Sequence, residues 1–305
     1  MTRPRIVDPG ATLALSRRTT RRHFLLHPDE AREMEQIYWY CLAHAAKLHG
    51  IVVHAACLMS THAHEVITDV HGVYPKFLET FHRNLAMCTK SLRGWPEEVF
   101  NKRSSGVHAL LTPDAVIESI AYLIANPVAA GAVRYAKDWP GAQTLPQHVG
   151  TRVIRVKRPK QYFDPDNAKW PAELELRLEM PVALEFDHGP ELAQQRIAER
   201  VRAKQHQAWN EARRTGRSFV GPRRLLKVLH TKRAKSYEVF GSLDPQFAAA
   251  GHRGAARQAV KRLRAFKAQY QRALHKWTAG DRNACFPEGT WWMRVGHGAR
   301  CGPEP

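Results

Sequence analysis

The sequence has no paired cysteines. Cys41, Cys57, Cys88, Cys285 and Cys301 are widely spaced and odd in number, and no Cys-x-x-Cys occurs. That excludes a zinc finger or a disulfide framework as the organising element. No apolar run reaches membrane-spanning length, and the start lacks the basic-then-apolar pattern of a secretion signal. No repeat period or low-complexity tract stands out. The expected setting is a reducing bacterial cytoplasm, close to the nucleoid, with no membrane partner. Acidic residues are also scarce, 28 Asp+Glu against 47 Lys+Arg, for a net charge of +19. Such an excess favours a polyanionic partner, most simply nucleic acid, over solubility alone. Residues 1–150 carry a net +3 and residues 151–305 a net +16.

What is present is a mixed pattern of elements. Residues 11–18 (ATLALSRR) read as a strand that runs into a basic turn. Residues 27–50 read as a helix, with Pro28, Asp29 and Glu30 as its acidic start and Gly50 as its stop. Two strands follow at 51–58 and 61–68. Residues 75–92 repeat Phe77, Phe81, Leu85 and Cys88 at helical spacing. Residues 99–111 read as extended or looped, with Arg103 among them. A helix then opens on Thr112 as N-cap, Pro113 and Asp114, with Pro127 as its stop. The order β-α-β-β-α-(β)-α fits an α+β fold, a ferredoxin-like antiparallel sheet with helices packed on it.

The character changes after Trp139-Pro140-Gly141, and a domain boundary is expected near residue 150. Residues 150–187 look strand-rich. Basic helical blocks are expected at 190–214, 222–240 and 252–279. A helix-turn-helix around 222–250 fits the turn residues Gly241-Ser242 and Asp244-Pro245. The aromatics Phe219, Tyr237, Phe266, Tyr270 and Trp277 lie among the Lys and Arg residues. At Leu263, Phe266, Tyr270 and Leu274 their spacing favours burial over base stacking. Residues 285–295 (CFPEGTWWMRV) read as a turn and then a strand with buried tryptophans.

Two features carry chemistry. His62 and His64 alternate on a strand, so both point to one face and can reach one divalent cation. Alone the pair is a weak signal, since two polar residues on a strand have the same pattern and His44, His49, His54, His71 and His82 crowd the region. The second feature is the helix from Pro113. At about 100° per residue, Val116, Ile120, Leu123 and Ile124 form one apolar stripe. Tyr122 lies nearly opposite, with Ser119 and Asn126. A tyrosine off the core stripe is either a surface or second-core residue or a nucleophile. A phenol of pKa ~10 is mostly protonated at neutral pH, so a nearby cation would assist its attack on a phosphodiester. Asn126 precedes Pro127, which is expected to push it away from helical geometry.

At this point the residues resemble a known family. The segments "LMSTHAHEV" and "AYLIANPVAAGAV", after the opening "RPRIVDPGATLALSRR" and before Trp139-Pro140, are similar to the REP-associated tyrosine transposases, a branch of the HUH single-tyrosine transposases. The match spans roughly residues 3–145. It implies an HUH endonuclease domain over residues 1–150, with 151–305 as a basic DNA-binding or accessory extension. It implies cleavage of single-stranded DNA near a hairpin, with the 5′ end held on Tyr122 and a 3′-OH released. It also implies Mg²⁺ or Mn²⁺ on His62 and His64, with Asn126 completing the site, in a monomer or a homodimer. Departures are Ser60-Thr61 where relatives have Pro-Asn, Ala63 where they have Val, and Leu13-Ala14 where they often have Tyr-His. The competing expectation is a domesticated descendant that holds structured DNA without cutting it. An unrelated His-x-His hydrolase ranks last, because Glu65 should point away from the histidines and no other carboxylate is near.

Overall fold

The computed structural model describes residues 4–101, 105–235 and 245–302. Seven strands and seven α-helices are found among them. They form a mixed α+β fold around a five-stranded, mainly antiparallel sheet. The first part runs β1 (Ala11–Arg18), α1 (Glu33–His49), β2 (Ile51–Leu58), β3 (His62–Asp69), α2 (Tyr74–Arg93), β4 (Gly106–Leu110) and α3 (Pro113–Ala129). The second part runs β5 (Val153–Lys157), β6 (Glu173–Arg177), α4 (Val182–Arg214), α5 (Pro222–Leu225), β7 (Phe247–Ala248), α6 (Arg253–Thr278) and α7 (Trp292–His297).

The sheet order is β2-β3-β1-β4-β7. The first four strands are antiparallel neighbours, and β7 adds in parallel to β4. Register sorts the side chains by face. Ala14, Ser16 and Arg18 of β1 stand opposite His108, His64 and His62 or their neighbours. Leu13, Leu15, Ala63 and Ile67 turn the other way, into an apolar core shared with α1 and α2. An extra residue in β2, His54, shifts the register between Val53 and Ala55. This puts Ala55 and Cys57 with Val66 on the α3 face, where a second apolar core forms. Gly106 stands opposite Ser16, and a Cβ there would collide with the Ser16 hydroxyl.

The second part packs on the first from both sides. The β5-β6 hairpin lays Ile154, Val156, Leu174 and Leu176 into the α1 core. The long helix α4 lays Leu184, Ala193, Ile197 and Val201 against α3.

Several sequence expectations need correction. The first long helix starts at Glu33, not Pro28. The Asp29 carboxylate accepts from the Glu33 and Met34 amides, and Arg32 takes a left-handed conformation that breaks the helix there. Pro127 does not stop α3, which continues to Ala129. The proline is buried with Val128 in the second core, and the Gln143 side chain donates to the Ile124 carbonyl one turn earlier. Asn126 therefore keeps helical geometry. Of the helix expected at 222–240, only Pro222–Leu225 is α-helical among the described residues, and residues 236–240 lie outside them. Beyond Leu225 the chain is captured as a ladder on residues 22–24, with Phe24 N–H donating to Lys232 O and Ala234 N–H to Arg22 O.

A helix-turn-helix is not formed by the described residues. The short α5 leads to extended chain and then β7, while Tyr237, Gly241, Ser242 and Asp244 lie outside the described residues. Arg103 lies outside them too. Residues 285–295 form a turn and then the helix α7, with Trp292 67% exposed, in place of a strand with buried tryptophans. No helix among the described residues is long and apolar enough to cross a membrane.

Candidate active site

β3 and α3 build the site together. The pleat of β3 puts His62 and His64 on the face that α3 covers. The side chain of Thr112 caps α3 by accepting from the Ala115 amide, and Val116, Ile120, Leu123 and Ile124 are buried as their spacing required. That leaves Glu118, Tyr122 and Asn126, spaced one turn apart, on a different face of the helix. Tyr122 is 53% exposed while Asn126 is buried.

The four residues expected to act together do converge. The His62 and His64 rings lie 4.6 Å apart, nearly perpendicular. The Tyr122 ring lies 5.6 Å from the His64 ring, edge-on. Asn126 Nδ2 is 3.5 Å from His62 Nε2. Each imidazole is also tied to the protein. His62 Nδ1 lies 2.9 Å from Thr61 Oγ1, and His64 hydrogen-bonds the Leu15 backbone. Loss of solvent holds the His62 pKa well below the ordinary value, with His64, Arg18 and Arg22 adding repulsion. Burial likewise pulls His64 down to about 4. Both rings are therefore neutral at pH 7, the form that can ligate a cation.

The group offers two imidazoles and a carboxamide, and a hydrogen bond to each ring restricts its orientation, as partners of metal-binding histidines do. No cluster of three or more His, Cys, Asp or Glu that could hold a metal occurs among the described residues. Two neutral imidazoles and a carboxamide could hold a divalent cation with positions left for water or phosphate oxygen.

A cavity of about 450 Å³ opens at Tyr122, lined among others by Arg18, His64, His108, Glu118 and Lys204. Lys204 comes from α4, with its Nζ 2.8 Å from Glu118 Oε2, and Arg200 also pairs with Glu118. The sequence reading missed these residues. Arg18 was within reach, because it alternates with Ser16 on β1. Glu118 was too, because it sits one turn before Tyr122. Lys204 had no local signal. Glu65 points to the opposite face, as expected. It is buried, accepts a 2.8 Å hydrogen bond from the Tyr38 hydroxyl, and its pKa is raised by burial to about 8.

No family model and no curated protein matches the chain. Among solved structures, the chain is similar to a REP-associated tyrosine transposase bound to a REP hairpin, at 17% identity and a TM-score of 0.41, over 48% of this chain and 84% of that one.

Proposed function

We propose that the protein is a metal-dependent single-stranded DNA endonuclease and strand transferase of the REP-associated tyrosine transposase kind, acting on hairpin DNA in a bacterial cytoplasm. The observation that carries this reading is the convergence of His62, His64, Tyr122 and Asn126 at one site that opens to solvent at Tyr122. The β2-β3-β1-β4 order, with helices in the first and third connections, supports a ferredoxin-like HUH domain over residues 1–150. Residues 151–305 would be its basic accessory part, with α4 reaching the Tyr122 cavity.

The chemistry follows from the side chains. The Tyr122 phenol loses its proton and its oxygen bonds to the phosphorus of a DNA phosphodiester. The bond from phosphorus to the 3′ oxygen breaks, and that oxygen takes a proton to become a free 3′-OH. The 5′ end stays on Tyr122 as a phosphotyrosine, which preserves the ester for rejoining. His62, His64 and Asn126 would hold Mg²⁺ or Mn²⁺. When bound, the cation supplies charge relief on a phosphate oxygen and aligns the ester. Arg18 and Lys204 put positive charge beside the same cavity.

The test is a labelled single-stranded hairpin incubated with protein and Mg²⁺ or Mn²⁺, resolved on a denaturing gel. Wild type is expected to form a covalent adduct, and Tyr122→Phe and His62→Ala are not. An adduct that persists in Tyr122→Phe removes the nucleophile. Tight hairpin binding with no adduct under either metal, across a panel of hairpins, replaces the reading with a DNA-holding protein that does not cut.

A further inference from the structure

Just beyond the C-terminal end of α3, a group of aromatic rings and cations lies open to solvent. Tyr135 is 40% exposed, and Trp209 of α4 is half-buried beside it, ring centroids 5.4 Å apart. His206, exposed on the same helix, extends the group, 4.7 Å from Trp209. Arg134 lies over both the Tyr135 and Trp209 rings, at 6.0 and 5.9 Å, and Lys137 lies 6.0 Å from the Tyr135 ring.

The backbone fixes the group in place. Trp209 Nε1 donates to the Arg134 carbonyl at 2.8 Å, and the Ala136 amide donates to Gln205 Oε1 at 3.2 Å. Arg134 and Lys137 form no ion pair among the described residues, although Asp138 is adjacent. Rings that serve only the core are covered, and surface cations usually sit beside carboxylates. Here part of the Tyr135 ring and part of the Trp209 ring stay open to solvent, and no carboxylate pairs with the two cations among the described residues.

We propose that Tyr135 and Trp209, with Arg134 and Lys137, form a stacking platform for unpaired nucleobases of single-stranded DNA. Aromatic faces accept any base, and neighbouring cations take the phosphates. Duplex DNA offers no free base face, so the platform selects single strands. Trp209 lies roughly a turn and a half along α4 from Lys204, about 7 Å on the helix axis. A strand bound there passes close to the Tyr122 cavity. The inference rests on the nucleic-acid partner of the proposed function and is independent of cleavage by Tyr122.

The experiment measures anisotropy of a labelled hairpin with and without a single-stranded oligothymidine tail, using protein that carries Tyr122→Phe so that nothing is cut. The tail is expected to tighten binding. Tyr135→Leu with Trp209→Leu should lose about tenfold in affinity for the tailed hairpin and little for the tailless one. Trp209→Phe, which loses the same indole hydrogen bond but keeps a ring face, should retain most of the gain. A tail that adds no affinity, or a leucine variant that binds the tailed hairpin as tightly as its parent, overturns the platform. Failure of the parent to bind either DNA instead removes the nucleic-acid reading itself, and the platform with it. If the leucine variant melts at lower temperature, a tail carrying iodouracil decides by photocrosslinking to the parent. Adducts on Tyr135 or Trp209 support the platform, and adducts only elsewhere overturn it.

Discussion

Thr61 shows how a single hydroxyl can set a site. Its Oγ1 lies 2.9 Å from His62 Nδ1, which leaves Nε2 facing Asn126. Thr61→Val removes that hold at nearly constant volume. Manganese affinity, read by spin resonance of the free ion, is expected to fall about 10–100-fold, as for other partners that orient ligating imidazoles. Unchanged affinity would mean that His62 is oriented by packing alone. Glu65 gives the second prediction at this scale. Burial raises its folded pKa from 4.5 to about 8, opposed only by the Tyr38 hydrogen bond. A raised acid contributes its full stability below the unfolded pKa, and that contribution is lost as pH climbs through the folded value. Glu65→Gln, which imitates the protonated form, should therefore melt a few degrees above wild type at pH 8 and no higher than it near pH 4.5. Parallel melting curves across that range would contradict this. At this scale the sequence was informative where period alone decides. Two residues apart on a strand placed the histidines together, and four apart on a helix placed Tyr122 with Asn126. It was silent on Lys204, whose position depends on how α4 docks.

Among the elements, β1 and β4 are held close by one missing side chain. Gly106 sits opposite the Ser16 hydroxyl in register, where a methyl group would overlap it. Gly106→Ala should push the strands apart and cost about 1–3 kcal/mol, measurable by denaturant unfolding. A cost near zero would show that Ser16 simply rotates away. The apolar stripes of α2, α3 and α6 were legible because burial follows the helical repeat: Phe77, Phe81, Ile120 and Phe266 are all covered. Elements set by distant partners were not legible. Residues 232–234 have a helix-friendly basic composition, yet backbone hydrogen bonds from residues 22–24 draw them into an extended ladder. Pro127 misled in the opposite direction. A proline usually ends a helix, but here the ring is buried, Gln143 donates to the Ile124 carbonyl, and α3 runs two residues further to Ala129.

For the whole molecule, charge is the feature that composition gives directly. The +19 net charge lies mostly after residue 150. On α6 it appears as exposed Arg257 and Arg264, outside the half-buried stripe of Tyr270 and Leu274. Hairpin affinity should fall linearly with the logarithm of salt, and replacing both arginines by glutamine should lower that slope by about one to two. An unchanged slope would place the DNA on another face.

The strand β7 is only two residues long, yet it determines what the central sheet presents to its surroundings. Ala109 and Leu111 of the β4 edge donate to Gln246 and Ala248, while Val53 and Cys57 on the β2 edge bridge to Leu178 and Gln143. Both margins of the sheet are thus occupied by the chain itself, and most of those partners come from beyond residue 150. A fragment cut at that boundary would bare backbone donors and acceptors along β4 and β2 of the kind that attract other strands.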